Sequence, residues 1–415
     1  MHPANPDQSA EGQKQVGLAR VLLAFESVPF RWLWASFFFT SMSMGVRMLA
    51  QGWLVLELTD SPFWVGAVVG LQGLGQLVFG AFGGTIVDRL DKRKVLASLY
   101  AFSGVTALVL GLLTITGNVA LWHVILVSLS QGVTMATMLP AANFMVYQTV
   151  GAQRLLNGMA ARMVAMNVTR IIGSIIAGFL IDSFGVGASY IFASVSVWFG
   201  AAFLLYMQGS YAAASHQEPF WTSVGHGIKY VWATLNIRRL MFLSILMETF
   251  AFSHFVMMPV MAKDVLHVGG TGLGYLSAAS GVGAMLSTTA VAGLGDFRRK
   301  GVLLVGSALV TGLFLILFAF SPWFLVSLAL VAIVGGTIMA YDVTMATMLQ
   351  LISVDAMRGR VMGIYGLTFG FTPVGGFLVG VIAAAASTPI AVALGGAIVA
   401  VYVGAILLPA GHIRS

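Results

Sequence analysis

Apolar residues run through this chain in long blocks, broken by short clusters of charge, Pro, Gly and Ser. A membrane helix needs about 20 mostly apolar residues. Windows of that length predict spans at about 30–58, 63–87, 95–115, 120–148, 158–183, 184–208, 238–265, 270–294, 301–320, 322–350, 360–385 and 388–409. Some joins are tight: Thr59-Asp60-Ser61-Pro62 separates the first two spans, and Ser321-Pro322 the ninth and tenth. The longest polar interruption, about 209–236, falls near mid-chain, and within it Val224, Ile228, Val231, Trp232 and Leu235 share one helical face. That spacing predicts an amphipathic helix on the membrane surface; the alternative is a plain linker with chance periodicity. The expected fold is all-α integral membrane, with twelve transmembrane helices in two six-helix halves. The divisions are a polar tail and interfacial entry (1–29), an N-terminal half (30–208), a linker (209–237), a C-terminal half (238–409) and a short tail (410–415).

Composition agrees with the pattern. The 415 residues are 59% hydrophobic and 8% charged, whereas a soluble chain carries about 25% charged residues. The bilayer must therefore solvate most of the surface. The absence of cysteine removes disulfides, thiolate metal sites and cysteine nucleophiles. The net charge of +7 does not call for nucleic acid, because the basic residues sit in alternate loops. One set holds Arg89, Lys92, Arg93, Lys94, Arg154, Lys229, Arg238, Arg239, Arg298, Arg299, Lys300, Arg358 and Arg360; the opposite loops hold Lys263 and the acids Glu57, Asp60, Asp182 and Asp264. The positive-inside bias makes the basic loops and both termini cytoplasmic, in a multi-pass protein of the bacterial inner-membrane type. The tail before Val16 has no apolar core, so nothing marks a cleavable export signal.

The halves repeat. Met145-Val146-Tyr147-Gln148 with Gly173 and Gly178 matches Thr347-Met348-Leu349-Gln350 with Gly375 and Gly380 at one offset. Gly66, Gly73, Gly75 and Asp88 match Gly274, Gly281, Gly283 and Asp296 at a second. Glycine matches alone mean little in Gly-rich spans; the weight comes from Gln148/Gln350 and Asp88/Asp296. Repeated halves place a substrate site near the bilayer midplane between them, with rocking of the halves alternating access.

Between spans two and three stands Gly84-Thr85-Ile86-Val87-Asp88-Arg89-Leu90-Asp91-Lys92-Arg93-Lys94-Val95. This resembles the signature loop of the major facilitator superfamily: Gly, an apolar residue, Asp-Arg, then a basic pair. Asp91 stands where many members have Gly, a departure common in one drug- and siderophore-exporter branch. Phe30-Arg31-Trp32-Leu33-Trp34, the stretch from Trp53 to Pro62, Gly227-Ile228-Lys229-Tyr230-Val231-Trp232 and Arg358-Gly359-Arg360-Val361-Met362-Gly363 resemble the same branch. The chain is similar over nearly its whole length to the enterobactin-exporter-like, drug-proton antiporter group. The resemblance implies that Asp88 latches the halves at the start of span eleven, a carboxylate at a helix N-terminus being favourable. It also implies that Gly84, Arg89, Asp91, Lys92 and Arg93 shape that latch, the basic residues facing anionic lipid heads. The bland alternative is a solvated loop that only sets topology. Spans one, four, seven and ten would line the cavity, with Arg47, Glu248 and Asp342 at its wall. Two positions depart from the antiporter pattern: Ser128 stands where an arginine precedes Gln131-Gly132, and the span-five motif reads Gly173-Ser174 and Ala177-Gly178. Both weigh against export by antiport.

The ionisable residues well inside the spans are Arg47, Arg162, Arg170, Glu248 and Asp342. Each costs about 2.5–3.5 kcal/mol to insert, so each should face a cavity or a partner. Glu248 or Asp342 is a candidate proton carrier; the alternatives are a static pair of Asp342 with Arg162 or Arg170, or a gate pair that breaks during rocking. The arginines stay charged and suit an anionic substrate group or the tuning of an acid. Phe39, Met44, Asn143, Phe252 and His254 complete the expected cavity wall, its Met and Phe suiting an amphipathic substrate or simply facing lipid. Gly173, Gly178, Gly375 and Gly380 are expected at helix interfaces. No nucleophile–base pair, His pair at ligand spacing or Gly-x-Ser-x-Gly turn occurs, so an enzyme, a metal site and a cofactor are not expected. The leading expectation is a monomeric secondary transporter exporting amphipathic small molecules, drug-like or siderophore-like, against protons. An importer or a lysophospholipid flippase on the same scaffold is the alternative, and a non-transporting binding homologue a further one.

Overall fold

In hydrocarbon each backbone N–H and C=O must be satisfied inside its own segment, and this chain is helical almost throughout. The computed structural model describes residues 23–87, 90–207, 211, 220–293 and 299–407, and no strand occurs among them. A single turn of 3-10 helix (Leu23–Glu26) leads into α1 (Val28–Thr59), which Ser27 caps by accepting from Phe30 N. Then come α2 (Pro62–Val87) and α3 (Lys92–Ile115). The run Leu121–Phe184 is two spans, α4 (121–150) and α5 (152–184), parted at Gly151. Next are α6 (Val186–Leu205), α7 (Phe220–Ala233), α8 (Leu235–Val265) and α9 (Gly270–Gly293). α10 (Lys300–Ala319), α11 (Phe324–Ile352), α12 (Asp355–Thr368 with Phe371–Ala385) and α13 (Thr388–Tyr402, extended to Leu407) close the bundle.

Nine stretches among the described residues are long and apolar enough to cross a bilayer, and one of these is the α4–α5 double span. α1 and α9 fall short of that hydropathy. The first carries Arg31, Arg47 and Glu57, and the second is rich in Gly, Ser and Thr. Both pack among other spans, α1 against α5 and α6, α9 against α5 and α11. With them the twelve-span fold is complete, and α7 lies outside it.

Some boundaries move. Spans four and five meet end to end at Gly151, whose φ of 73° lets the chain reverse without the loop expected over 149–157. Arg154 therefore sits in the first turn of α5, where it pairs with Glu26 at 2.7 Å. α8 begins at Leu235, inside the expected linker. The amphipathic helix is present as α7: Val231 is buried, and Gly227 lies against Arg360 and Ile364 of α12. Ile228 and Trp232 stay 44% and 56% exposed, as an interfacial helix requires. Val224's side chain and both terminal tails lie outside the described residues.

The halves, α1–α6 and α8–α13, meet along two equivalent seams, α2 against α12 and α5 against α9. A Cβ on Gly380 would meet Gly66 Cα at 3.0 Å, and one on Gly178 would meet Gly274 Cα at 3.0 Å. These are the glycines that the sequence repeat pairs, so the repeat is expressed as the same close helix contact made twice. At the face opposite the basic loops, the far face, Asp182 Oδ1 and Oδ2 accept from Gly270 N (2.6 Å) and Thr271 N (2.7 Å) at the start of α9. Lys263 Nζ reaches Asp60 Oδ1 at 2.8 Å, and its hydrogen bond and charge hold that exposed carboxyl below the usual range.

Candidate functional site

Between the halves, at mid-depth, lies a cavity of about 330 Å³. The far-face contacts of Asp182 and Asp60 close one side of it. Gly52 against Pro259 adds to that closure. Toward the basic face, Gln76 and Asn143 are exposed at span depth, and Gln76 lines the cavity.

Charge divides cleanly between the walls. The N-terminal half supplies Arg47 (α1) and Arg170 (α5), and four amides: Gln51, Gln72, Gln76 and Gln131. Arg47 donates to Ser103 Oγ at 2.6 Å, while its Nε is shut from solvent without a partner; Arg170 Nε is in the same condition. Arg170 also lies over the Phe255 ring, 5.7 Å from its centroid. The C-terminal half supplies Phe252, Phe255 and Pro259 from α8, and Thr372 and Pro373 from α12.

Neither acid lines that wall. Glu248 is 2% exposed, and its Oε2 accepts from the Thr372 hydroxyl. It sits in a π-helical turn, Met247–Ala251, closed by Phe252 N on Met247 O at 2.9 Å. Such turns splay the backbone and re-aim side chains at functional sites. Asp342 on α11 accepts from the Tyr365 hydroxyl at 3.1 Å, and Ser244 and Thr368 hydroxyls bond at 2.7 Å nearby. No ion pair joins Glu248 or Asp342 to an arginine among the described residues. The expected static pair of Asp342 with Arg162 or Arg170 is therefore not formed here. Arg162 instead donates to Asn143 and lies 4.9 Å from the Phe37 ring centroid, within its own half.

The expected wall is met in part. Arg47, Met44 and Phe252 line the cavity. Phe39 does not: it packs on Phe199 and Phe203 of α6, with centroids at 5.7 and 5.6 Å. His254 is 1% exposed and bonded to its own helix at Ala251 O, 2.5 Å away. Asn143 is engaged by Arg162. Glu248 and Asp342 are likewise not at the wall: Thr372 lines it and bonds Glu248, and Asp342 is held by Tyr365. The signature loop is described from Leu90 onward; Gly84 lies in α2, and Asp88 and Arg89 lie outside the described residues. Asp91 caps α3 by accepting from Arg93 N at 2.9 Å. Lys92 does not face lipid heads: it is 3% exposed, with Nζ over the Phe144 ring, and Arg93 donates to Met207 O. Gly173 and Gly375 occupy equivalent places, against α1 at Met42 O and against α8 at Thr249 O.

Sequence reading missed the amides of α2 and the hydroxyl of α12. Span two had not been expected at the cavity. Glutamines at one-turn spacing in an apolar span, Gln72 and Gln76, were the available signal, because a polar side chain there needs an aqueous or protein partner.

Residues 21–414 match the family described as transmembrane secretion effector. The enterobactin exporter EntS of Escherichia coli is 24% identical over 352 residues, covering 85% of this chain and 84% of the relative. The same exporter of Shigella boydii matches equally. Among solved structures, the nucleoside transporter NupG superposes with a TM-score of 0.75 at 14% identity, covering 92% of this chain and 98% of that one. A bacterial homologue of the human lysosomal transporter Spinster superposes with a TM-score of 0.69 at 12% identity, covering 96% and 97%.

Proposed function

Since the chain belongs to the transmembrane secretion effector family of major facilitator transporters, we propose that it exports amphipathic small molecules, siderophore-like or drug-like, in exchange for protons. The basic loops face the cytoplasm in this reading, and the cavity takes its substrate from that side. The observation that carries the coupling is Glu248, buried in the C-terminal half with a hydroxyl and, among the described residues, no cation as its partner. A carboxyl in such a place is tolerated only when it carries a proton or reaches water. Rocking of the halves would give it water from each side in turn, so one carboxyl could take up a proton outside and release it inside. Arg47, Arg170 and the glutamines would hold the polar part of the substrate, and Phe252, Phe255, Met44 and Met48 its apolar part. Asp342 and Tyr365 would tune Glu248 from behind. Closure of the inner side would bring Asp88 to the start of α12.

Everted membrane vesicles test this. With an imposed pH gradient, adding enterobactin or ethidium should dissipate the gradient in vesicles holding the protein. Vesicles holding Glu248→Gln should show no such response. A response of equal size in both would overturn the assignment of Glu248. A second reading, movement of a lipid-like substrate, draws on one feature. An apolar groove of about 260 Å³ lies on the α2–α12 seam, lined by Leu74, Leu77 and Phe377, and shares Pro373 with the central cavity. Headgroup-labelled lysophospholipid changing leaflet in proteoliposomes would favour it.

A further inference from the structure

Thr372 is the one residue that belongs both to the cavity wall and to the hydrogen bond on Glu248. Glu248 itself does not line the cavity, so whatever substrate does to the carboxyl must pass through a side chain in front of it. A threonine hydroxyl has one proton to donate and lone pairs to accept with. An ionised carboxylate demands that proton, because it can only accept, and a hydrogen bond to it is about twice as strong as a neutral one. With Glu248 ionised, Thr372 is thus fixed as donor toward Glu248 and offers the cavity only a lone pair. With Glu248 protonated, the carboxyl O–H can donate to Thr372 Oγ1, and the threonine proton turns to the cavity.

We propose that Thr372 is a polarity switch, presenting an acceptor to the substrate when Glu248 is ionised and a donor when Glu248 is protonated. The inference rests on the assignment of Glu248 above and adds the substrate chemistry that goes with it. A substrate whose O–H or N–H donates to Thr372 binds the ionised form and expels the proton, which leaves for water on the open side while the substrate's own O–H or N–H bond stays intact. That is the sign exchange requires. A substrate offering only an acceptor there binds the protonated form and travels with the proton. The switch therefore selects donors, such as phenols, hydroxamic acids and amides, for export.

The other groups facing Glu248 do not replace this route. From α11 the Asp342 carboxyl and the Tyr341 hydroxyl lie within electrostatic reach, and from α12 the Tyr365 hydroxyl. None of the three lines the cavity. α10 contributes no titratable side chain between Gly301 and Ala319, and the one tyrosine of α13, Tyr402, donates to Arg239 O instead. These groups surround Glu248 without reaching the cavity; Thr372 connects it to the ligand.

The test uses a matched pair of neutral amphipaths, para-octylphenol and its methyl ether, added to the detergent-purified full chain in weak buffer. Binding is followed by tryptophan quenching and proton release by a pH electrode. Wild type should release protons with the phenol and not with the ether, and should bind the phenol about twofold to tenfold more tightly when Glu248 is ionised, the weight of one neutral hydrogen bond to Thr372. Thr372→Val, which keeps the shape and removes the hydroxyl, should bind the phenol with neither release nor pH dependence. Thr372→Ser should restore both, which a merely structural role would not require. Undiminished release from Thr372→Val, or equal release with phenol and ether, would overturn the switch. Release persisting in Glu248→Gln would instead remove the underlying assignment of the carboxyl, so the two failures are distinct.

Discussion

Arg47 and Arg170 place two guanidinium groups at the cavity wall with their Nε donors unused, while Glu248 and Asp342 sit in the other half, bonded to Thr372 and Tyr365. Among the described residues, this separation leaves each of these four charges without an ionic partner. The arginines are thus free to meet an anionic or strongly accepting substrate group, and removing one should be felt by that class of ligand first. Arg47→Gln is expected to weaken binding of an amphipathic carboxylate such as dodecanoate by about tenfold, the scale of one hydrogen bond to a charged group. Binding of dodecanol should change little. Titration calorimetry on the purified protein compares the two. An equal loss for both ligands would mean that Arg47 shapes the cavity rather than reading charge.

At the scale of the helices, the seams carry the argument. Gly66 against Gly380 and Gly178 against Gly274 are backbone-to-backbone contacts with no room for a side chain. Gly380→Val should therefore cost about 1–3 kcal/mol by overpacking, read as a lower unfolding midpoint in mild detergent. Asp182 fastens the α5–α9 seam by accepting from the first N–H groups of α9, a charge at a helix N-terminus contributing about 0.3–2 kcal/mol. Asp182→Asn keeps the shape and loses the charge, so the far face should open more often. The chain has no cysteine, which makes spin-label pairs placed across the far face unambiguous. Double electron–electron resonance should show the longer-distance population rising in the variant; an unchanged distribution would remove Asp182 from the gate.

These elements also show what a sequence can and cannot convey. The spans were legible because hydrocarbon imposes length and apolarity on each one directly, and the glycine repeat was legible because only a missing side chain permits that approach. Gly151 was missed because a single positive-φ glycine can reverse a chain with no polar loop to announce it. The cavity was half legible. Charge and polarity flag a residue as needing a partner, and Arg47 answered to that. Rotation about the helix axis decides which partner it finds, and no pattern in a mostly apolar span fixes that rotation. Phe39 turned to α6, His254 to its own backbone and Asp342 to Tyr365 for this reason. Thr372 went unnoticed because a threonine in a span ordinarily bonds the preceding turn.

For the whole molecule, the far face is fastened by Asp182, Lys263 and the two glycine seams. A cycle that exports substrate must exchange this arrangement for its inverse, and the reading of Asp88 as the latch of that inverse form predicts that Asp88→Asn inserts normally but transports slowly. The central claim, however, is that Glu248 carries the exchanged proton. It is tested most directly in proteoliposomes with an imposed pH gradient, by following uphill accumulation of whichever amphipath the binding assays select. Wild type should accumulate it against its concentration gradient only while the pH gradient lasts, and Glu248→Gln should merely equilibrate it, with exchange across equal pH preserved. Accumulation by Glu248→Gln equal to wild type, or accumulation by wild type without a pH gradient, would contradict the account.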